Sequence, residues 1–148
     1  MFVNVRFLQM LAVISGVFLM NAGAIHAQSQ DDDRLDEAWK DAMEETEGVL
    51  TPKQYATLNG LAYQAAVTRV CDGYELSDQK YGNAVNELVA TGIDNLSDEE
   101  VIERQSAILI ALGTSYGLFL AEGNANKDDF CASAKDFKET DQSAHLWQ

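Results

Sequence analysis

An all-α fold, a small bundle of about five helices around a central apolar helix at about 97–122 and closed by one disulfide, follows from three features. Ser106–Ala121 contains no charged residue and is apolar nearly all the way round, inside a chain whose formal charge is −14. A helix of that pattern has to bury most of its sides, so it reads as the rod of a bundle. Elsewhere apolar residues recur at three- and four-residue spacing between helix-start and helix-stop signals. No stretch alternates with period two long enough for a strand, and the single proline opens a helix.

The chain begins with a segment that is not part of that fold. Arg6 is followed by the apolar run Phe7–Met20 and then by small residues. That order of basic region, apolar core and small-residue site predicts a secretory signal peptide over 1–27. Cleavage falls after Ala27 or, through the Ala22-Gly23-Ala24 option, after Ala24. The run is too short to span a bilayer comfortably. Residues 28–148 are then one helical domain with a frayed start and a loose C-terminal tail.

The first helix is expected from Asp32 to about Glu47, with Leu35, Ala38, Trp39, Ala42 and Met43 as its apolar stripe. Asp31, Asp32 and Asp33 suit a helix N-terminus, where the macrodipole favours negative charge. Glu44, Glu45 and Glu47 break that rule at the far end, which makes them a candidate interaction site. Gly48 stops the helix. Thr51-Pro52-Lys53-Gln54 opens the second helix with a cap, a proline at the first position and a capping box. It runs to about Asp72, before Gly73. Ser77 or Asp78 caps a third helix, which carries Tyr81, Ala84, Val85, Leu88 and Val89 and stops near Gly92.

Ser97-Asp98-Glu99-Glu100 is a second capping box, and it opens the central helix, expected to end at Glu122 before Gly123. Gly113 and Gly117 share one face with Ser106 and Ala121, a small-x-x-x-small spacing that predicts close approach of another helix. Thr114, Ser115 and Tyr116 are a candidate hydroxyl-lined internal pocket. The uncharged run sits at the lower limit for crossing a membrane, and its polar middle argues for a soluble core instead. Asn126 caps a last helix with Asp128 and Asp129 in its first turn and Phe130, Cys131, Ala134 and Phe137 as its inner stripe. Leu146 and Trp147 are available to dock back onto the bundle.

Cys71 and Cys131 both lie in the exported part, where an oxidising compartment favours a disulfide between them. Such a staple would join the end of the second helix to the start of the fifth. Closing a loop of this length stabilises by ~4 kcal/mol in the chain-entropy model.

Several functions are disfavoured. Loss of Arg6 with the signal takes the charge to −15, with nine basic residues against 24 acidic. Such a chain repels phosphate backbones and anionic lipid, so neither nucleic acid nor, after signal cleavage, a membrane is an expected partner. His26 leaves with the signal and His145 lies in the tail, which excludes a histidine-based triad, zinc site or iron site on the folded body. Asn124, Asn126 and Asp128 resemble the opening of a calcium loop. Asp129 stands where its glycine belongs and Lys135 where its bidentate Glu belongs, so no metal and no cofactor is expected. The many carboxylates are accounted for by capping and solvation, and an enzyme is not expected.

What remains is a small exported protein, periplasmic rather than extracellular, that binds another exported protein. One alternative is a small-ligand-binding bundle. Another arises because the single staple between helices of a small exported protein is similar in architecture to acid-stress chaperones of the HdeA type. That resemblance carries no residue across. It implies a bundle that loosens and binds clients below about pH 4, as its carboxylates protonate.

Overall fold

The computed structural model describes residues 22–140 and 145–148. Five helices follow in order: α1 (Ala22–Glu45), α2 (Pro52–Val70), α3 (Asp78–Ala90), α4 (Asp98–Ala125) and α5 (Lys127–Thr140). Among the described residues the only β pairing is an isolated bridge between Leu76 and Trp147. Cys71 and Cys131 form a disulfide across 60 residues of sequence. The chain divides into two units, Met1–Arg34 and Leu35–Gln148, and both core clusters belong to the second. The expected signal segment, for residues 1–21, lies outside the described residues.

Three helix starts are held as their sequences predict. At α2 the backbone N–H of Thr51 donates to Gln54 Oε1 at 3.0 Å, and Gln54 N–H donates back to Thr51 Oγ1 at 3.3 Å. At α4 Ser97 N–H donates to Glu100 Oε2 at 2.7 Å, and Glu100 N–H returns to Ser97 Oγ at 3.4 Å. Ser77 rather than Asp78 caps α3, accepting from Lys80 N–H at 3.5 Å. Each reciprocal pair satisfies N–H groups that the first helical turn leaves without partners.

Other boundaries differ from expectation. Residues 28–33 are not a frayed start, because α1 already runs from Ala22. From Ala24 to Glu45 no glycine or proline interrupts it, so the Asp31–Asp33 triplet falls inside the helix instead of capping it. Asn126 does not cap α5 through its side-chain oxygen. Its amide instead donates to Asp129 Oδ2 at 3.0 Å, while its backbone N–H closes α4 by donating to Glu122 O at 3.0 Å. Gly123 does not stop α4, which continues to Ala125.

Helix α2 packs against α3, α4 and α5, and α4 packs against α2, α3 and α5. One core cluster joins Leu58, Leu61 and Ala62 of α2 to Leu88 of α3 and to Ile108 and Leu112 of α4. The other joins Ala66, Val67, Val70 and Cys71 to Phe130, Ala134 and Trp147. Tyr116 and Phe119 of α4 pack against both clusters and tie them together.

The tail is not loose at its end. Trp147 is 1% exposed, and its indole N–H donates to Gln64 O at 3.0 Å. Leu146 N–H donates to the buried Gln64 Oε1 at 2.6 Å, and Ser77 N–H donates to Leu146 O at 2.8 Å. An indole supplies a large apolar body and one donor, and both are used here.

The expectation that α4 is enclosed on most sides is not met. Ile102, Leu109 and Ile110 remain 64%, 51% and 66% exposed. Among the described residues nothing lies within 4 Å of where a Cβ on Gly113 or Gly117 would point, so no described helix approaches these two glycines closely. The reason is geometric. Helices α2, α3 and α5 cover α4 from one side, and its apolar circumference exceeds what they can wrap.

Candidate functional site

The exposed apolar side of α4 continues into a groove. One hollow of about 300 Å³ lies between α4 and the end of α1 with the turn after it, lined by Ala42, Thr46, Val49, Leu50, Ile110 and Thr114 among others. A second, of about 340 Å³, adjoins it through Thr46 and Leu50 and is lined by Met43, Glu44, Glu47, Pro52 and Tyr55. The floor is apolar. Met43 and Ile110 stand more than half exposed along it.

The walls are fixed from behind. Arg104 Nη1 donates to Val49 O and Nη2 to Thr91 O, the latter at 3.3 Å. Gln54 Nε2 donates to the same Thr91 carbonyl at 3.3 Å. The guanidinium therefore ties the turn at 49, the C-terminus of α3 and α4 together, where a cation also meets unpaired helix-end carbonyls. Thr46 is buried and its hydroxyl donates to Met43 O at 2.9 Å, closing the last turn of α1.

The predicted acidic site falls on the rim of this groove. Glu44 and Glu47 are exposed and both line the second hollow. Glu44 also reaches Lys40 at 3.7 Å, one helical turn back. The side chain of Glu45 lies outside the described residues. The predicted pocket of Thr114, Ser115 and Tyr116 is not one pocket. Thr114 lines the first hollow, Ser115 is 2% exposed on the core side, and Tyr116 packs between the two clusters. Successive residues on a helix point about 100° apart, so three in a row cannot face one cavity.

Sequence reasoning did not single out Glu122, an exposed residue whose carboxyl is partly desolvated. Glu122 lines a small hollow with Tyr63, Asn126, Asp129, Phe130 and Ser133. Desolvation there holds the Glu122 carboxyl above its ordinary range. It also lifts the Tyr63 phenol to about 12, with smaller contributions from Tyr74 and Glu122. The available signal was position: Glu122 follows directly on the uncharged run, one turn after Phe119 and Leu118.

Among the described residues no three His, Cys, Asp or Glu side chains converge on a possible metal position. By length and composition α4 is apolar enough to cross a membrane, with 17% of its most apolar window buried. Spanning would require stripping Ile108, Leu112 and Ser115 from the α2 side, where each is buried. Comparison of the chain with family models, with characterised proteins and with solved structures finds no match.

Proposed function

We propose that this is a small exported, non-enzymatic protein that binds another protein through the groove between α4 and the 42–55 segment. One observation carries the reading: Ile110 is two-thirds exposed on the floor of a groove whose walls are braced by Arg104. Contiguous exposed apolar surface on a soluble protein commonly marks an interaction site. A buried core, a polar rim and a rigid frame are the parts an interface needs. The disulfide is compatible with export, and the signal-like segment at 1–27 supports a periplasmic address.

The test is photo-crosslinking from position 110 of the full chain in exporting cells, with a probe at exposed Ile102 as control. A discrete adduct from position 110 that is absent from 102 supports the reading. Equal labelling from both positions, or no adduct, removes it. Adducts with many unrelated proteins, appearing only near pH 4, would instead favour the acid-stress chaperone.

A further inference from the structure

We infer that the groove takes an amphipathic helix with a cationic face, a deduction that rests on the protein-binding reading above. Two features of the site restrict the occupant: what its walls can hydrogen-bond, and what its rim carries.

The walls offer a ligand few polar groups. The lining of the first hollow is apolar apart from Thr46, already spent on Met43 O, and Thr114. Val49 O is taken by Arg104. An extended peptide brings an unpaired N–H and C=O with each residue, and burying these against such walls is costly. A helix satisfies its backbone internally and presents only side chains. Two hollows meeting at Thr46 and Leu50 ask for two apolar anchors on one side of the ligand, which residues three or four apart on a helix supply.

The rim selects charge. Glu44 and Glu47 edge the second hollow, and α4 contributes no charged residue from Gln105 to Ala121. With a formal charge of −14 the whole molecule attracts cations and repels anions at long range. A second copy would bring the same charge and the same acidic rim to the contact, so self-association is opposed at neutral pH. A helix with lysine or arginine beside its apolar stripe meets both requirements.

The experiment uses synthetic helices of about 14 residues, roughly four turns. The first places leucines at helical spacing among lysines. The second scrambles that composition, and the third replaces lysine by glutamine. Binding to the disulfide-intact protein is read by fluorescence anisotropy at low and high salt. The patterned leucine–lysine helix should bind at least tenfold more tightly than the scrambled one. Ile110→Asp should weaken it about tenfold or more by removing exposed apolar surface that the helix would cover, although the added charge should attract the probe. Ile102→Asp, with the same charge change outside the groove, should not. Glu44→Lys with Glu47→Lys should weaken binding and flatten its salt dependence.

Equal binding of the scrambled peptide would reduce the effect to bulk charge and overturn the inference, as would an Ile110→Asp variant that binds normally. If the glutamine helix binds as well and the rim reversals change nothing, the cationic class is wrong while the groove reading stands. If no helix binds and position 110 yields no crosslink, the groove reading falls too. An Ile110-dependent dimer at neutral pH in sedimentation would make the occupant a second copy and overturn the inference.

Discussion

Gly123 holds its place through its neighbours and not through its backbone. A Cβ there would stand 3.0 Å from both Phe130 Cδ1 and Val70 Cγ2. Gly113 and Gly117 on the same helix have open space at that position. Gly→Ala in an open helical site stabilises by roughly 0.5–1 kcal/mol, whereas overpacking costs about 1–3 kcal/mol. Gly113→Ala and Gly117→Ala should therefore raise the urea midpoint, and Gly123→Ala should lower it. A rise for all three would mean that α2 and α5 yield easily at this point. Glu122, its neighbour, makes a second residue-scale prediction. Its folded carboxyl is raised above the unfolded one, so the fold favours the protonated form and is penalised at neutral pH. Glu122→Gln should stabilise at pH 7, with the advantage shrinking as pH falls through the raised value. Glu100 has the opposite sign: hydrogen bonds from the Ser97 side chain and backbone hold it low. Its contribution is present above the unfolded value and fades as pH falls through the folded one. Ser97→Ala should destabilise most at neutral pH and least in strong acid.

At the scale of elements, local chemistry set the starts of α2, α3 and α4, and long-range packing set the contacts between helices. Thr51 with Gln54 and Ser97 with Glu100 could be read directly, because a cap depends on residues three apart. Thr51→Ala should cost about 1 kcal/mol in thermal or urea unfolding. The staple between Cys71 and Cys131 was equally legible, since two cysteines leave one pairing. The groove was not. Glu44 and Glu47 stood out only as misplaced charges, and nothing local shows that Met43, Leu50 and Ile110 share a floor beside them. The pocket expected at Thr114–Tyr116 failed because sequence neighbours on a helix diverge, and Ser115 turned to the core. The tail depends on a contact across 83 residues, from the Trp147 indole to Gln64 O. Trp147→Ala should cost about 3–5 kcal/mol, the range for emptying a large aromatic site. A loss of only a few tenths would show that the tail rides on the bundle without supporting it.

At the largest scale the decisive property is the apolar surface that α4 exposes, among the described residues, on a strongly acidic chain. The two terms oppose each other. Exposed Ile102, Leu109 and Ile110 favour association, while a charge of −14 opposes it between like copies. Hydrophobic attraction between such faces changes little with pH, but the repulsion disappears as 24 carboxylates titrate against ten lysines and arginines. Assembly should therefore appear where the charges cancel, in the ordinary carboxylate range around pH 4. In stronger acid it should recede, because the remaining lysines, arginines and histidines give every copy a positive charge. Sedimentation velocity across pH 7 to 2 should show a maximum in size rather than a steady rise. Ile110→Asp should lower that maximum without moving the unfolding midpoint at pH 7, since the side chain it replaces is mostly in water. A monotonic rise into strong acid, accompanied by loss of the Trp147 environment, would instead mean that the bundle itself opens. The surface exposed would then be the two core clusters held near each other by the disulfide, not the face of α4.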